Sequence, residues 1–551
     1  MRVRKFIILV IFFMLSLSLF SCSIQSTTNI VKVTSKDAKA TRIVYDGKDF
    51  GSIDTYFLDD GICYVDVEYM YQVFSQLAFT FDVETSLNDD IVLVKYKTYY
   101  GYESLSLNAS NNEVLLSSPN FYLYFTDKSS AFSQNYELYN FSQNLFTDAK
   151  IRFDLDTYGL SSYITGDGRV LLPISIFSLI YTGENNCFFN YVREKNDGYI
   201  VVVAGGNQSL SLLSSSVEVT VEERNLSYNF LKLFIGEFYG LADYKGLNTI
   251  SAIESFLSPY KEDLLSIDSK TFATAEVNVI DALDDPHTST VYTSKYYEAT
   301  PQGGIRYNQI FNKQYLYSYN RNGSFANTSF NDTYYSNDCI SLVYDNTLFI
   351  VFDEFKSNFG HDSTYNFVRT VLNRYVRNNR IKNVVVDLTT NTGGEISEGL
   401  GLLSFMTNDN IKISYSYKNT KIYGSFTGEF NNDFDYNGSY DNDAYTNVNW
   451  YIMTSAVSFS CANLVPAIAK DLGIAKIIGK KSGGGMCAVG YCMLPDGTYF
   501  SKSSPLYRLV TASERANKEH IDIEAGVTPD YELDDTMFYN YKKLVNYINR
   551  L

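Results

Sequence analysis

The strongest constraint on the fold is an alternation of apolar strand-like and helix-like segments that begins at residue 347. The strand-like runs are TLFIVFDEF, IKNVVVDL, NWYIMTS and AKIIG, and they are largely apolar on both faces. The helix-like runs between them are STYNFVRTVLNRYVRNN, EGLGLLSFM and ANLVPAIAKDLG. Such strands, alternating with helices, are typical of a parallel sheet covered on two sides. The sequence therefore predicts an α/β fold, with any ligand site at the carboxyl ends of these strands.

The size and charge of the chain limit its domain organisation and its partners. At 551 residues the chain is too long for one ordinary hydrophobic core, so at least two domains are expected. A hydrophobic content of 45% that includes 16% aromatic residues excludes a disordered chain. The formal net charge of −17 leaves no general attraction for nucleic acid or anionic lipid. We therefore expect no nucleic-acid partner.

The first residues predict export. A basic stretch, MRVRK, is followed by the apolar run FIILVIFFMLSLSLF and then by SCS, which is the order found in a signal peptide. A membrane-spanning helix usually needs about 20 apolar residues. The tetrapeptide LFSC resembles a bacterial lipobox, although Phe20 departs from the small or β-branched residue usual there. This resemblance implies a signal peptide over residues 1–21, a lipid-modified Cys22 and a tether over residues 22–40.

Two forms of the exported chain remain open. In the first, the lipid on Cys22 anchors the mature protein to the outer face of the cell membrane. In the second, the signal peptide is cut without lipidation and the protein is released. Both forms predict an extracytoplasmic protein.

Residues 41–205 are predicted to form a β-rich α+β domain. Two of its segments are alike, GICYVDVEYMYQVF from Gly61 and GRVLLPISIFSLIY from Gly168. Each has the pattern of a short strand followed by a helical turn, and a further strand follows each of them. The pattern indicates a duplicated unit that looks like the small stalk domains of bacterial surface proteins, similar to the N-terminal domain of copper amine oxidases. The alternative is a coincidental likeness between two ordinary strand-helix segments.

A cluster of glycine and serine, AGGNQSLSLLSSS, predicts a boundary after this domain. The run NLSYNFLKLFIGEFYGLADY then has the helical spacing of apolar residues, which predicts a helical subdomain over residues 215–300. The α/β core is predicted over residues 301–551. Near its start, the stretch from Gly303 to Asp345 is rich in Asn, Tyr and Ser, and it is predicted to form β hairpins or loops.

The cysteines and histidines do not indicate a metal site. No two cysteines have the spacing of a paired zinc-binding motif, and the chain has only 3 histidines. Cys487 and Cys492 could form a local disulfide after export, but a fold with few disulfides is an equal alternative. We therefore expect neither a metal nor another cofactor.

Two segments at the predicted strand ends carry residues that suit catalysis. The run VVVDLTTNTGGEI leads from a buried strand into Gly393 and Gly394, and adjacent glycines let backbone N–H groups face a ligand at little steric cost. The run YIMTSAVSFS leads into a helix that begins near Cys461 or Ala462. Ser460 then lies at a helix N-terminus, where free N–H groups stabilise developing negative charge. Both segments also have a purely structural interpretation, a turn for the glycines and an N-cap for the serine.

A third segment, DALDDPHTSTVY, contains His287 in a short acidic loop. Imidazole is the side chain whose ordinary pKa lies near neutral pH. Asp284 and Asp285 lie close enough in sequence to orient the ring or to raise its basicity. A histidine in a loop is also commonly a surface residue, and His361 and His520 have that interpretation.

Taken in order, these motifs resemble the tricorn and C-terminal-processing serine peptidase superfamily, over roughly residues 220–535. VVVDLTTNTGG is similar to the strand of that family that ends in Asp-x-Arg-x-Asn-Gly-Gly-Gly, and SFSCANL is similar to its nucleophile corner. GKKSGGG is similar to the loop after the next strand, and AGVTPDYEL to the terminal Gly-Val-x-Pro-Asp motif. The resemblance implies a crotonase-like α/β core of the ClpP and crotonase type, with a helical N-terminal subdomain and with Ser460 as the nucleophile.

The resemblance also implies how the serine is activated. C-terminal-processing enzymes use a lysine in the loop after the next strand, but Gly485 stands at that position, and Lys480 and Lys481 come too early in the loop. The tricorn-like branch uses a histidine from a loop far upstream, which DDPHTST matches here. His287 is then the general base of an acyl-enzyme mechanism that acts on a polypeptide substrate.

The remaining parts of the predicted site also follow from the resemblance. The oxyanion is held by the backbone N–H groups of Cys461 and of Gly393 or Gly394. An acidic residue near the terminal motif orients the histidine, and Glu524 is the nearest candidate, with Asp522 as a competitor. The thiol of Cys461 is an alternative reactive group, because a helix N-terminus stabilises a thiolate.

Two departures from the family leave other functions open. Pro286 stands where the tricorn arrangement has a serine, and the acidic residue is unsettled between Glu524 and Asp522. Thr389 also stands where the family has an arginine. One alternative is a catalytically degenerate protein that binds peptides or wall components. Another is an adhesive surface lipoprotein in which the first 205 residues carry the function. The presence of both Ser460 and His287 favours a secreted or surface-anchored serine endopeptidase over these two alternatives.

Overall fold

The structure is a computed structural model. It describes residues 30–78, 83–88, 90–98, 101–122, 137–144, 146, 149–195, 197–204, 207–336, 338–357, 363–377, 380–418, 422–431, 444–512, 520–534 and 536–551. The predicted signal peptide, Cys22 and His361 lie outside these residues. Within them, no helix combines the length and the apolar character needed to cross a membrane.

The N-terminal region is mainly β-sheet. Its strands are β1 (Lys39–Tyr45), β2 (Lys48–Phe57), β3 (Cys63–Asp66), β4 (Val83–Asn88), β5 (Ile91–Thr98), β6 (Gly101–Asn108), β7 (Glu113–Leu116), β8 (Glu137–Asn144), β9 (Ile151–Asp154), β10 (Tyr163–Ile164), β11 (Val170–Pro173), β12 (Cys187–Arg193) and β13 (Gly198–Ala204). One sheet has the order β10-β11-β3-β2-β1-β13-β12, and a second has the order β4-β5-β6-β7-β9. In β5, Val92, Val94 and Tyr96 are buried on one face, as the two-residue period of a strand requires.

The two similar segments of this region are neighbours in the first sheet. β3 leads into helix α1 (Val67–Ala78), and β11 leads into the helical turn α2 (Ile174–Phe177). β3 and β11 pair in antiparallel fashion, with Val65 opposite Leu172. A hairpin follows each helix, β4 with β5 and β12 with β13, although the two hairpins lie in different sheets. The order of strand, helix and hairpin is thus repeated, and the duplicated unit stays a prediction.

Four helices follow: α3 (Val221–Leu233), α4 (Ile250–Leu257), α5 (Lys261–Leu264) and α6 (Ser269–Ala282). Their starts have a local cause in the sequence. Thr220 and Glu223 form a capping box at the start of α3, and Asp268 accepts a hydrogen bond from the Thr271 N–H at the start of α6. α6 ends just before the loop that contains His287, and strand β14 (Ser289–Tyr292) follows that loop.

The prediction of hairpins or loops from Gly303 to Asp345 is wrong for the first half of the stretch. Residues Ile305–Asn327 form the 23-residue helix α7, whereas β15 (Asp332–Ser336) and β16 (Cys339–Tyr344) form a hairpin. The Asn-, Tyr- and Ser-rich composition of α7 has low helix propensity, but packing on one face of the helix overrides it. Ile310 packs on Phe459 in a small buried cluster.

The α/β core confirms the fold class predicted from the alternating pattern. Its remaining strands are β17 (Thr347–Val351), β18 (Asn383–Asp387), β19 (Ile411–Ser416), β20 (Tyr423–Asn431), β21 (Asn449–Thr454), β22 (Lys476–Gly479), β23 (Cys487–Met493), β24 (Tyr499–Ala512), β25 (His520–Asp522) and β26 (Tyr531–Glu532). Its helices are α8 (Thr364–Tyr375), α9 (Ile396–Ser404), α10 (Cys461–Leu472) and α11 (Tyr541–Ile548). The central sheet has the order β15-β16-β17-β18-β21-β22-β26, and its strands from β17 onward are parallel. The carboxyl ends of β18 and β21 therefore lie side by side.

A further sheet joins the N-terminal region to the core. It has the order β14-β24-β19-β20-β8, with β23 and β25 also paired to β24. β8 comes from the N-terminal region, and a buried ion pair between Glu184 and Lys502 connects the same two parts of the chain. The predicted boundary after residue 205 stays a prediction, and the two regions it separates share this sheet.

Candidate active site

Ser460 lies at the corner between β21 and α10 with an unusual backbone conformation. Its φ of 57° and ψ of −122° are rare for a residue with a side chain and typically cost about 1–3 kcal/mol. The Ser460 side chain makes no capping hydrogen bond, although the residue stands at the N-cap position of α10. A strained turn from a strand to a helix is how many hydrolases expose a serine nucleophile. The geometry therefore disagrees with the N-cap interpretation.

Gly393 lies directly against Ser460. A Cβ at position 393 would be 2.7 Å from the Ser460 Cβ and 3.2 Å from the Cys461 amide nitrogen. Gly393 also has a φ of 118°, which favours glycine. The missing side chain therefore keeps space open beside the serine and in front of the Cys461 N–H group. The structure thus brings together the glycine loop and the serine corner that the sequence placed at two strand ends.

Two of the three predicted oxyanion donors are available in this arrangement. The Gly393 N–H donates to Asn391 Oδ1 at 2.8 Å, so it is used within its own loop. Among the described residues, the N–H groups of Gly394 and Cys461 have no hydrogen-bond acceptor. The Cys461 N–H is the first of helix α10, where the helix dipole favours negative charge. Cys461 and Gly394 are therefore the pair that fits an oxyanion.

The thiol of Cys461 does not have the properties of a nucleophile. It is buried, and burial raises its pKa well above the usual value, with Glu395 and Glu398 acting in the same direction. Its Sγ lies 3.5 Å from the Glu395 carbonyl oxygen, its hydrogen-bond acceptor. A neutral, buried thiol is inert, so Cys461 contributes to the site through its backbone.

The His287 ring lies beside the serine corner. The ring packs against Phe459, the residue before Ser460, with 4.7 Å between the two ring centroids. The His287 loop is fixed by Asp285, whose Oδ1 accepts a hydrogen bond from the His287 backbone N–H at 3.0 Å. Asp285 Oδ2 accepts hydrogen bonds from the hydroxyls of Thr288 and Ser503, both at 2.7 Å. The histidine and serine segments, distant in sequence, are therefore adjacent in space.

The His287 side chain is unusual in being both buried and unpaired. It is 7% exposed, and within the described part of the chain neither ring nitrogen has a hydrogen-bond partner. Burial lowers its pKa; the negative charge of Asp285 opposes this effect, and the positive charge of Arg306 adds to it. The ring is therefore neutral near pH 7, as a general base must be.

Glu524 makes no hydrogen bond to the His287 ring. Its Oε1 accepts a hydrogen bond from Arg306 Nη1 at 2.6 Å, and its Oε2 accepts one from the Met486 N–H at 2.9 Å. Burial raises the pKa of Glu524, and the Arg306 guanidinium opposes that rise. Asp522 accepts a hydrogen bond from the Glu524 backbone N–H. In this structure Glu524 thus bonds Arg306 and Met486, and Asp522 bonds the Glu524 backbone, so neither is bonded to the His287 ring.

The loop that follows β22 explains why a lysine base is absent. A Cβ at Gly485 would lie 2.5 Å from ring carbons of Phe459, so no side chain fits at this position. Lys480 pairs with Glu532 at 3.1 Å, and Lys481 is exposed. Phe459, which the His287 ring contacts, thus occupies the space that a side chain at 485 would need.

Sequence reasoning missed Arg306 and Asn391. Arg306 is in the first turn of α7, which was predicted as hairpin or loop, and no motif marks it. Asn391 lies within the run VVVDLTTNTGG, and its Oδ1 and carbonyl oxygen accept hydrogen bonds from Gly393 and Phe459 respectively. The position of this asparagine before the two glycines was the available signal.

Comparisons with known proteins bear on this arrangement. Residues 346–533 match the model of peptidase family S41, a range that contains Ser460, Gly394 and Glu524 but not His287. No curated protein matches the sequence.

Among solved structures, a protein from Parabacteroides merdae described as a peptidase is 16% identical with a TM-score of 0.42, over 59% of this chain and 96% of that one. A lipoprotein from Streptococcus agalactiae is 12% identical with a TM-score of 0.35, over 60% and 97%. The photosystem II D1 C-terminal processing protease is 12% identical with a TM-score of 0.36, over 60% and 97%. The family match, together with the serine corner and the glycine loop that lie inside it, shows that this chain carries a domain of peptidase family S41, a family of serine peptidases.

Proposed function

We propose that this chain is a serine endopeptidase of the tail-specific or tricorn-like type, with Ser460 as nucleophile and His287 as general base. The observation that carries the proposal is the contact of the His287 ring with Phe459, the residue before Ser460. The strained backbone of Ser460 and the space beside Gly393 support it, because both expose the serine side chain to a ligand. The substrate is a polypeptide.

The reaction follows from these positions. Ser460 Oγ attacks the carbonyl carbon of the scissile bond while His287 takes the hydroxyl proton. The oxyanion accepts hydrogen bonds from the N–H groups of Cys461 and Gly394. The C–N bond then breaks, and His287 gives its proton to the leaving amine. Water, deprotonated by the same ring, hydrolyses the acyl-enzyme and restores the serine; the scheme requires no metal ion.

Labelling with a fluorophosphonate probe tests the proposal. The native protein should be labelled, and Ser460→Ala should lose the label entirely. His287→Ala should lower the labelling rate by about 10³-fold or more, since the serine then lacks its base. Ser329→Ala, an exposed serine on the loop after α7, is the matched control and should label as the native protein does. Labelling that persists in Ser460→Ala would assign the nucleophile to another residue.

One observation favours the catalytically degenerate alternative. Within the described residues no carboxylate hydrogen-bonds to the His287 ring, so the orienting hydrogen bond of a triad is missing. A degenerate protein would bind peptides or wall components without hydrolysing them. In that case the native protein would not react with the probe and would leave casein intact, while it would still retain a peptide in a binding assay.

We further propose that the protein is extracytoplasmic and is anchored by a lipid on Cys22. The support is the lipobox-like run LFSC after the apolar segment. The full chain, expressed in a bacterium with radiolabelled fatty acid, should carry the label, and Cys22→Ala should lose it. Equal labelling of the native chain and of Cys22→Ala would overturn the anchor.

A further inference from the structure

We propose that Arg306 is a positioning residue of this active site. Together with Glu524 it braces the loop at residues 483–486, which in turn holds the backbone of Ser460. The inference rests on the proposed function, because it takes Ser460 as the nucleophile.

The loop is tied at both ends by one ion pair. Arg306 Nη2 donates to the Gly483 carbonyl oxygen at 2.6 Å, and Arg306 Nη1 donates to Glu524 Oε1 at 2.6 Å. Glu524 Oε2 accepts a hydrogen bond from the Met486 N–H at 2.9 Å. The guanidinium fork and the carboxylate thus hold the first and the last residue of the loop. A bidentate guanidinium suits this geometry, because its donors point in fixed directions.

The braced loop reaches the serine directly. The Gly484 carbonyl oxygen accepts a hydrogen bond from the Ser460 N–H at 2.9 Å. A Cβ at position 484 would lie 2.8 Å from Arg306 Nη2 and would collide with the Glu524 backbone, so the loop fits closely against both members of the pair. Since Ser460 has a strained φ of 57°, its conformation depends on contacts such as this one.

Arg306 also connects the loop to the histidine segment. Its backbone N–H donates to Asp284 Oδ1 at 2.6 Å, three residues before His287 in the chain. Its guanidinium carbon lies 5.4 Å from the centroid of the Phe459 ring, which the His287 ring also contacts. Arg306 is therefore a common point of the histidine loop, helix α7, the serine corner and the terminal motif.

Removal of the side chain should lower both the stability of the protein and the rate of the chemical step. Arg306→Met leaves the Glu524 carboxylate, 1% exposed, without its counter-charge and frees the Gly483 carbonyl. We expect the rate of fluorophosphonate labelling per folded molecule to fall by about tenfold or more. Arg306→Lys keeps the positive charge but cannot bond both the Gly483 carbonyl and the Glu524 carboxylate. Its labelling rate should therefore lie between those of the native protein and of Arg306→Met. The double variant Arg306→Met with Glu524→Gln should regain stability but not rate.

The pH profile supplies a readout that a merely structural role would not move. The charges of Asp285 and Arg306 both shift the pKa of His287. Glu524 accepts a hydrogen bond from Arg306. Loss of the Arg306 cation raises the pKa of His287. The acid limb of the labelling rate against pH should therefore move to higher pH in Arg306→Met.

The matched control is Arg193→Met. Arg193 bonds Glu223 at 2.6 Å and is 22% exposed, against 2.6 Å and 25% for Arg306 with Glu524, but it lies on β12 in the N-terminal sheet. This control should lose some stability while its labelling rate and pH profile stay native.

Hydrogen exchange gives a readout that is independent of catalysis. In Arg306→Met, peptides that cover residues 457–464 and 482–488 should exchange at least several-fold faster, and in Arg193→Met they should not. Unchanged exchange and an unchanged pH profile in folded Arg306→Met would overturn the brace. If the native chain is not labelled at all but exchange accelerates as expected, the brace stands and the proposed function fails.

Discussion

The segments that hold Ser460 and His287 differ in how fully their polar groups are satisfied. At the serine corner, the Ser460 N–H, the Gly393 N–H and the Met486 N–H all have acceptors at 2.8–2.9 Å. At the histidine loop, Asp285 satisfies backbone and hydroxyl groups, but both ring nitrogens of His287 are buried without a partner. The serine half is thus held by its own hydrogen bonds and leaves the Gly394 and Cys461 N–H groups for an oxyanion, whereas the ring of the histidine half has no hydrogen bond among the described residues.

The difference indicates where preorganisation lies in this molecule. Buried polar groups are nearly always paired, so a buried imidazole without a partner among the described residues marks a position for an incoming group. In our account the partner is the serine hydroxyl when substrate is bound. The serine half is held in a strained conformation by the protein alone, whereas the histidine half is completed by the reaction. Three substitutions test this contrast.

The largest effect is expected at the serine half, for Gly393→Ala. The new Cβ would lie 2.7 Å from the Ser460 Cβ and would fill the space in front of the Cys461 N–H. Loss of an oxyanion donor typically lowers kcat by about 10²–10³. We therefore expect a loss of that size in labelling rate and in peptide hydrolysis.

The control for this variant is Gly323→Ala on helix α7. A Cβ at position 323 has no neighbour within 4 Å, and alanine is favoured over glycine in a helix. Gly323→Ala should keep native activity and gain a little stability. Native activity in Gly393→Ala would show that the Cys461 N–H does not bind the oxyanion.

A smaller and more specific effect is expected at the histidine half, for Asp285→Asn. The ionised Asp285 raises the pKa of His287 against the effect of burial, so its neutralisation lowers that pKa. Since the base must be neutral, the acid limb of kcat/KM should move to lower pH. This is the opposite direction to Arg306→Met, and a shift of both variants in the same direction would contradict the assignment of His287 as the base.

The smallest effect is expected in stability, for His287→Gln. The pKa of His287 is lower in the folded protein than its ordinary value of 6.5, so the unfolded chain binds the proton more readily. Below pH 6.5, the ordinary pKa, the His287 side chain therefore destabilises the native protein, and this effect grows as the pH falls toward the lower pKa of the folded state. Thermal unfolding from pH 7.5 to pH 5 should show the native midpoint falling relative to His287→Gln by about 1–3 °C. Parallel curves would show that the ring is solvated rather than buried.

The apolar pattern predicted the core well, for a physical reason. β17, β18, β21 and β22 are buried on both faces, and their predicted runs contain them. The same pattern placed Gly393 and Ser460 at the ends of buried parallel strands, where a chain can form a site, and the two residues lie against each other in the structure. Local sequence was enough for these elements.

The parts that could not be predicted depend on contacts between distant segments. The ion pair of Arg306 with Glu524 joins positions 218 apart in the chain, and α7 is helical through packing rather than propensity. The strand β8 pairs with β20 across a predicted domain boundary. The family resemblance suggested Glu524 as the residue that orients His287, and only the fold reveals that its carboxylate holds Arg306 and Met486.

A crystal structure of the phosphonylated protein would show whether His287 serves Ser460 as its base. We predict a covalent bond from Ser460 Oγ to phosphorus, with a phosphonyl oxygen within about 3 Å of the N–H groups of Cys461 and Gly394. A nitrogen of the His287 ring should lie within hydrogen-bond distance of Ser460 Oγ. A phosphonylated serine whose oxygen and leaving-group position face away from the His287 ring would rule out His287 as the base.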